Sequence, residues 1–333
     1  MRTLLEALLL AVAAIIVTHN SESVVRECLE ALKAMAPAIA TVVVDNASTD
    51  RTLPLLRSMS GVRVIANVEN AGFATAANQG VRESSAEFLL LLNPDVRLLT
   101  EVDSLVEAAS KHGLAAGKLM NDKGQDQRGF TVRRFPTPGA LILELFGLNR
   151  LWPSNPVNRS YRCLDRDLNH AGPVEQPAGA FLMFRRDVWE RLGGFDEDFC
   201  PVWFEDVDFC RRAAAAGFRI EYVPSVAGEH RGGHSVRQLS EARRSEYWCD
   251  SLLTYAFKHF RLLGYQAVCL SVVLTSVPRM VAGIIRDRNL SPVGSCTRII
   301  RFAGRRLVFP RAKPTSATTP RQDHKDGWPL ETR

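Results

Sequence analysis

The first 120 residues alternate between short apolar runs and segments whose apolar residues recur at helical spacing. The apolar, mostly β-branched or leucine-rich runs predict strands at 14–17, 41–44, 62–65 and 88–92. The segments between them predict helices at 21–34, 49–59 and 74–82. Strands this apolar need cover on both faces, so the alternation predicts an α/β fold with a mostly parallel central sheet flanked by helices.

The pattern changes after residue 120. Residues 121–175 are rich in Arg, Asn, Pro and Gly without clear periodicity, which predicts a long loop region near the active site. An ordered block follows at 176–235, with a strand at 180–184 and helices at 186–192 and 205–216. From 238 to about 286 the pattern is helical, and the apolar stretch 262–285 contains Gln266, Pro278 and Arg279. These residues favour a helix lying at a membrane interface over one that spans it.

We therefore divide the chain into an N-terminal extension (1–12), a catalytic domain (13–237), a C-terminal helical region with membrane contact (238–297) and a basic, disordered tail (298–333). The apolar start superficially resembles a secretory signal, but Glu6 interrupts it and its end reads as the first strand. A short helical extension is the preferred interpretation, and a secreted protein is the alternative.

Charge and cysteine content narrow the class of protein. The net charge of +6 lies in the segment from Arg298 onward, which holds nine Lys or Arg against three Asp or Glu. A neutral body with a basic tail indicates an anionic membrane surface as partner, and no nucleic acid, although a solvated tail is the alternative. Seven scattered cysteines without a CxxC pair argue against a disulfide framework and a zinc site, and indicate a reducing compartment.

Polar residues follow three of the predicted strands, in Thr18-His19-Asn20, Asp45-Asn46 and Asn93-Pro94-Asp95. Ligands of such sheets bind beyond the carboxyl ends of the strands. Asp45 suits the donors of a ribose or base, and Asp95 suits a divalent metal that bridges diphosphate oxygens. Helix capping by 48–50 and an ordinary turn at 93–95 are the structural alternatives.

Three further segments carry candidate chemistry. The segment 70–80 joins a glycine turn to a small-residue helix whose N-terminus could face an anion or pack tightly on the sheet. In Trp203-Phe204-Glu205-Asp206-Val207-Asp208, acids beside aromatic residues suit a general base, although the helix dipole alone also favours them. His230 and His234 stand in a predicted loop, where either suits a metal.

Taken in order, these segments resemble glycosyltransferase family 2, the inverting enzymes with a GT-A fold, and within it the bacterial rhamnosyltransferase-like members that build envelope polysaccharides. The resemblance covers about residues 12–260. It is carried by IIVTHNS, VVVDNASTD, NAGFATAANQG, LLLLNPDV, QPAGAFLMFRR, GGFDEDF, FEDVDFCRR and HRGGHS. The order and spacing of these pieces are specific, although no single piece is.

The resemblance implies a role for each matched residue. Thr18, Asn20, Asp45 and Asn46 would bind the nucleotide, and Asn70, Gly72, Asn78 and Asn93 would line the donor site. Asp95 and His230 would bind Mg²⁺ or Mn²⁺, with His234 as a rival for His230. Asp206 would be the base, beside Glu205. Two departures from the family pattern stand out, since Asn93 replaces the first carboxylate of the DxD motif and His19 replaces the more usual Tyr.

The expected activity is transfer of a sugar, with deoxythymidine-diphosphate rhamnose as the leading donor, to an envelope polysaccharide or lipid-linked acceptor at the inner face of the cell membrane. The expected mechanism is a metal-assisted single displacement with inversion. The alternative is a catalytically silent nucleotide-sugar or glycan-binding protein with the same fold.

Overall fold

The computed structural model describes residues 11–288 and 290–308, and it contains a large mixed sheet. The predicted extension up to residue 10 and the tail beyond 308 lie outside the described residues. The strands are β1 Val12–Thr18, β2 Ala40–Asn46, β3 Val62–Asn67, β4 Phe88–Leu92, β5 Val96–Leu98, β6 Gly113–Met120, β7 Val132–Arg133, β8 Gly172–Pro173, β9 Gln176–Pro177, β10 Phe181–Arg185 and β11 Arg219–His230.

The main sheet has the order β3-β2-β1-β4-β10-β6-β11-β5, with β8 paired to β11. Strands β3, β2, β1 and β4 run parallel to one another, and β10 is inserted antiparallel between β4 and β6. The predicted, mostly parallel sheet is confirmed. Its parallel half brings the ends of β1, β2 and β4 to one edge.

Helices cover both faces of the sheet, and further helices form the C-terminal region. They are α1 Val25–Met35, α2 Thr52–Ser58, α3 Phe73–Arg82, α4 Asp103–His112, α5 Pro138–Leu145, α6 Leu148–Leu151, α7 Pro156–Tyr161, α8 Arg186–Leu192, α9 Glu205–Ala215, α10 His234–Arg237, α11 Glu241–His259, α12 Leu262–Asp287 and α13 Ser291–Val308. Helices α1, α2 and α4 pack on one face, and α3, α8 and α9 on the other. In β1, Ala14 and Ile16 face the first layer while Ala13 and Ile15 face the second, as strand alternation requires.

Two segments that were expected to lack regular structure contain helices. The segment 121–175 is not one long loop, because it contains α5, α6 and α7. Thr137 and Asn155 cap α5 and α7 with their side chains, and a proline stands in the first turn of each. Local capping chemistry therefore builds helices too short for apolar periodicity to reveal. The start of the predicted disordered tail, 298–308, is likewise helical as the end of α13.

A buried charge cluster attaches the C-terminal helices to α9. The Asp208 carboxylate is fully buried, and it accepts hydrogen bonds from Arg212 Nε at 2.6 Å and faces His259 Nε2 at 2.7 Å. Arg211 donates to the Tyr255 hydroxyl at 2.6 Å. Helix α9 is thus held between the sheet and α11, which fixes the position of its first turn.

Candidate active site

The Asp45 carboxylate ends β2 in a closed network of donors. Its Oδ1 accepts from the Thr18 hydroxyl at 3.0 Å and the Ser48 hydroxyl at 2.6 Å, and its Oδ2 accepts from the Ser48 amide at 3.2 Å. Asp45 is only 1% exposed, so these donors stabilise its charge in place of water. The structure brings Thr18 and Asp45 together, as the parallel register of β1 and β2 requires.

Asn46, the last residue of β2, joins this end to the segment before α3. Its Nδ2 donates to Asn70 Oδ1 at 2.8 Å, and its Oδ1 accepts from the Ala71 amide at 3.0 Å. Gly72 has φ +86° and packs so closely on Cys200 and Pro201 that a Cβ would lie 3.1 Å from the cysteine sulfur. The positive φ favours glycine at this position, and a Cβ would crowd Cys200 and Pro201.

Asn20 lies at the rim of an open cleft of about 580 Å³ beside the ends of β1 and β2. Its Oδ1 accepts from the Thr49 amide at 2.7 Å, and its carbonyl accepts from Gln238 Nε2 at 2.7 Å. The lining residues are Asn20, Glu22, Ser23, Thr49, Asp50 and Gln238.

The N-terminus of α3 and Asn78 have a packing role in the structure. The Phe73 amide donates to the Pro201 carbonyl at 2.7 Å, so this helix end is partly covered. Asn78 is 1% exposed; its Oδ1 accepts from Trp189 Nε1 and the Phe195 amide, and its Nδ2 donates to the Phe195 carbonyl. The tight-packing alternative therefore describes this helix better than an anion site does.

Asp95 and His230 meet at the opposite end of the site. His230 is the last residue of β11, where it pairs with Val96, so its expected placement in a loop was wrong. His230 Nε2 lies 3.6 Å from Asp95 Oδ1, and it has no hydrogen-bond partner among the described residues. Burial lowers the pKa of His230, and the nearby Asp95 acts in the opposite direction. The side chain of His234 lies outside the described set.

This pair fits a divalent cation. A distance of 3.6 Å can be spanned by two ligand bonds of about 2.1 Å each. No cluster of three or more His, Cys, Asp or Glu suited to a metal occurs within residues 11–288 and 290–308. A cation here would therefore have one carboxylate and one imidazole from the protein, and oxygens from diphosphate or water would complete its coordination.

The first turn of α9 carries two acids in different environments. Asp206 Oδ2 accepts from the Gly179 amide at 2.8 Å, and Oδ1 accepts from the Val207 amide at 2.8 Å. Burial raises the pKa of Asp206, while these amides and Arg133 lower it. Burial, and then the charge of Asp206, raise the pKa of Glu205 well above its usual range. Of the two acids, Glu205 is therefore the one whose pKa is raised more strongly.

The backbone before α9 is strained. Trp203 and Phe204 have φ values of +80° and +69°, a left-handed conformation that costs non-glycine residues about 1–3 kcal/mol each. Packing of Phe204 against Tyr255, with ring centroids 5.4 Å apart, helps to hold this conformation. Strain of this kind concentrates at functional sites.

The short segment Gly179-Ala180 connects Asp206 in the first turn of α9 with Asn93 in the turn after β4. The Gly179 amide binds Asp206, and the Ala180 carbonyl accepts from the Asn93 amide at 3.0 Å. A Cβ on Gly179 would lie 2.7 Å from Asp206 Cβ, so this close approach requires glycine. The predicted metal turn and the predicted base thus bond to consecutive residues.

Sequence reasoning missed Gln127, Phe130 and Arg133, which lie in the segment 121–175. Gln127 Oε1 lies 2.9 Å from His230 Nδ1, and the Phe130 ring stacks on the His230 ring at 5.0 Å. Arg133 lies over Phe130, with its Cζ 5.6 Å from the ring centroid, and its charge acts on Asp206. The arginine-rich composition was the only signal, since these contacts arise between residues about 70–100 positions apart.

Comparisons with known proteins identify the family of this chain. The model of glycosyl transferase family 2 matches residues 13–193, more than half of the chain. The chain belongs to glycosyl transferase family 2. A second model, for glycosyltransferase like family 2, matches residues 159–249, which includes the α9 acids and His230.

Two curated relatives are rhamnosyltransferases. The N-acetylglucosaminyl-diphospho-decaprenol L-rhamnosyltransferase of Mycobacterium tuberculosis is 28% identical over 238 residues, covering 66% of this chain and 76% of the relative. Rhamnosyltransferase WbbL of Escherichia coli is 26% identical over 237 residues, covering 68% of this chain and 85% of the relative. The family-2 enzyme is thus rhamnosyltransferase-like.

Among solved structures, GalNAc-T7 with UDP, GalNAc and Mn²⁺ matches 66% of this chain and 43% of its own, at 16% identity and a TM-score of 0.50. This likeness shows the GT-A fold. Family and relatives identify the chain as a glycosyltransferase enzyme, which replaces the alternative of a silent binding protein.

Proposed function

We propose that this enzyme transfers a rhamnosyl group from deoxythymidine-diphosphate rhamnose to a lipid-linked glycan, by a metal-assisted single displacement that inverts the anomeric centre. Both rhamnosyltransferase relatives support the sugar, and the name of the Mycobacterium tuberculosis relative supports a lipid-linked acceptor. One observation supports the mechanism: the consecutive residues Gly179 and Ala180 bond to Asp206, the proposed base, and to Asn93, in the proposed diphosphate turn.

On the donor side, Thr18, Asp45 and Asn46 would hold the nucleoside through their rigid network, with Asn20 at the cleft. Asn70 and Gly72 would border the sugar diphosphate, and Asn93 would contact it from the turn after β4. Because these groups are already held by one another, little side-chain entropy is lost when the donor binds.

On the diphosphate side, Asp95 Oδ1 and His230 Nε2 would hold Mg²⁺ or Mn²⁺. When bound, the cation offsets the charge that develops on the departing nucleoside diphosphate. Asp95 and His230 are both buried, so their positions are fixed before the donor arrives.

At the acceptor side, Asp206 accepts the proton of the acceptor hydroxyl. The hydroxyl oxygen forms a bond to the anomeric carbon while the bond from that carbon to the diphosphate breaks. The Gly179 and Val207 amides each use one site on a different carboxylate oxygen, so lone pairs remain for the incoming proton. Burial raises the pKa of the neighbouring Glu205 well above its usual range, which disfavours a second negative charge beside the base. Attack from the face opposite the leaving group inverts the configuration.

The lipid-linked acceptor places the enzyme at the inner face of the cell membrane, and α12 supports this location. It is the one described helix long and apolar enough to cross a membrane, but much of it packs inside the protein. The exposed face of α12 is apolar, and residues 262–286 contain no Asp or Glu. The exposed apolar side chains on this face are Leu263, Leu270, Leu274, Val277, Val281 and Ile285. A helix of this kind lies in the interface rather than crossing it.

The proposal is tested by incubating the enzyme and Mn²⁺ with a panel of nucleotide sugars, each with and without an N-acetylglucosaminyl-diphospho-polyprenol. We expect rhamnose transfer with inverted anomeric configuration, determined by NMR of the product. Donor at about 100-fold its dissociation constant should also stabilise the fold by about 2.7 kcal/mol. Transfer of a different sugar, or retained configuration, contradicts the proposal.

Membrane contact is tested by sedimentation with vesicles that contain phosphatidylglycerol. Replacing Leu270, Leu274 and Val281 by Ser should release the enzyme into the supernatant, because these side chains are exposed and not part of the core. Ser replacements of exposed Leu148 and Leu151 serve as the control for lost apolar surface. Unchanged sedimentation of the α12 variant contradicts this location.

A further inference from the structure

Three contacts from Gln127 and Phe130 hold His230, one at its backbone carbonyl and two at its imidazole. Gln127 Nε2 donates to the His230 carbonyl at 2.7 Å, and Gln127 Oε1 lies 2.9 Å from His230 Nδ1. The Phe130 ring stacks on the imidazole with centroids 5.0 Å apart and planes 16° apart. Gln127 therefore fixes one edge of the ring, and Phe130 fixes one face.

The chemistry of these groups determines where the imidazole proton lies. A backbone carbonyl can only accept, so the end of Gln127 that faces it must be the NH₂ group. The other end is then the carbonyl oxygen, which can only accept, so His230 Nδ1 must carry the hydrogen. In the neutral ring, Nε2 is left with a lone pair.

This tautomer points the lone pair into a buried space beside a carboxylate. His230 is 2% exposed, and Nε2 has no hydrogen-bond partner within the described part of the chain. Asp95 Oδ1 is 3.6 Å away, which is too long for a hydrogen bond. Both atoms are suitable ligands for a divalent cation, and one cation can bridge a separation of 3.6 Å.

The backbone of Gln127 is firmly anchored. Its amide donates to the Leu119 carbonyl at 3.0 Å, at the end of β6, and its carbonyl accepts from the amides of Phe130 and Thr131. The side chain thus starts from a fixed turn, and both of its polar ends are used on His230.

From these contacts we propose that Gln127 is a positioning residue of the transferase: it holds His230 as the Nδ1–H tautomer, so that Nε2 faces Asp95 as a ligand for a divalent cation. The inference rests on the proposed metal-assisted function and adds the residue that prepares the site. Partners of this kind typically change metal affinity by about 10–100-fold when removed.

The direct test measures Mn²⁺ binding to the nucleotide-free enzyme by electron paramagnetic resonance. Gln127→Leu removes both polar ends and should weaken Mn²⁺ binding by about 10–100-fold. Gln127→Glu keeps an acceptor opposite Nδ1 but loses the donor to the carbonyl, and it should keep the affinity within a few fold. Gln125→Leu changes an exposed residue of the same loop, whose side chain bonds to Asn121, and should leave the affinity unchanged.

Nitrogen NMR of the His230 ring gives a second readout that a merely structural role would not move. The parent enzyme should show a protonated Nδ1 and an unprotonated Nε2, and Gln127→Leu should show a mixture of tautomers. A protonated Nε2 in the parent overturns the proposal, as does a folded Gln127→Leu variant with parent Mn²⁺ affinity. Equal loss in the Leu and Glu variants also overturns it, because it assigns Gln127 to the carbonyl contact alone.

The two levels of the proposal fail differently. If the parent binds no Mn²⁺ yet transfers rhamnose, the role of Gln127 fails while the transfer reaction stands. If the parent binds Mn²⁺ with the expected dependence on Gln127 but transfers no rhamnose, the proposed donor fails and the positioning role stands.

Discussion

The nucleotide side and the chemical side of the site use polar groups in opposite ways. At the ends of β1 and β2, the polar side chains satisfy one another, as Asp45 does with Thr18 and Ser48. At the end of β11 and in the first turn of α9, by contrast, Nε2 of His230 and Oε2 of Glu205 are buried and have no hydrogen-bond partner among the described residues.

The difference separates groups that suit binding from groups that suit reaction. A satisfied network holds its shape without a ligand, so it can present a fixed surface to the nucleotide. Open groups in a buried site cost stability when no ligand is bound, and they mark positions where a substrate, proton or cation completes the structure. Substitutions on the first side should therefore affect affinity, and those on the second should affect turnover.

The largest effect is expected for Asp206→Asn, which removes the carboxylate of the proposed base but keeps the size of its side chain. Turnover should fall by at least about 100-fold, while binding of the donor nucleotide stays close to the parent value. The adjacent Glu205→Gln is the matched control, because burial raises the pKa of Glu205 well above its usual range and so disfavours the charge that Gln lacks. We expect less than about a threefold change for it. Equal losses in both variants would remove the distinction between the two acids.

Gly179→Ala should rank second, because its new Cβ would lie 2.7 Å from Asp206 Cβ and displace the carboxylate. A misplacement of about 1 Å costs up to about 100-fold, so we expect kcat to fall by about 10–100-fold with little change in donor affinity. Gly139→Ala, which meets nothing within 4 Å, is the control. Steady-state kinetics with full donor saturation separate the two quantities, and parent-like kcat in Gly179→Ala speaks against the assigned base.

Asp45→Asn probes the nucleotide side. The amide cannot accept all the hydrogen bonds that the carboxylate receives, so donor affinity should fall about tenfold, the scale of one charge-assisted hydrogen bond. Calorimetric titration with the nucleoside diphosphate measures the affinity, and a thermal melt checks the fold. If kcat at saturating donor falls by a larger factor than donor affinity does, the proposed contrast between the two sides of the site is wrong.

The smallest effect is expected for Arg133→Gln, and it should appear in the pH dependence. Burial raises the pKa of Asp206, and Arg133 is among the groups that lower it, so removing the guanidinium raises this pKa further. The base must be ionised to accept a proton, so the acidic limb of the kcat profile should move to higher pH. Arg134→Gln, at an exposed neighbour, should leave the profile in place. A shift to lower pH in Arg133→Gln contradicts the electrostatic role.

The sequence predicted β4 and α8 to the residue, because an apolar run and a compact helical segment are local patterns. It failed for α5 and α7, whose capping side chains and prolines create short helices without apolar periodicity. It also placed His230 in a loop, because the glycine pair that follows is typical of loops. The strand that ends at His230 depends on pairing with β5 and β6, which the local sequence does not show.

Among the site residues, Thr18, Asp45, Asp95 and Asp206 could be found from sequence because strand ends and a helix start position them. Gln127 and Arg133 could not be found in this way. Their roles depend on which distant residue they contact, and no local pattern encodes a contact across a hundred positions.

The sequence by itself determined the order of strands and helices, the polar residues at the strand ends, and the family. These properties follow from side-chain polarity and backbone preferences over a few consecutive residues. Only the tertiary structure decided that Asn78 packs, that burial raises the pKa of Glu205 more strongly than that of Asp206, and that Nε2 of His230 faces Asp95. Each of these depends on burial and on atoms brought together from distant segments, because desolvation and hydrogen bonding act through space rather than along the chain.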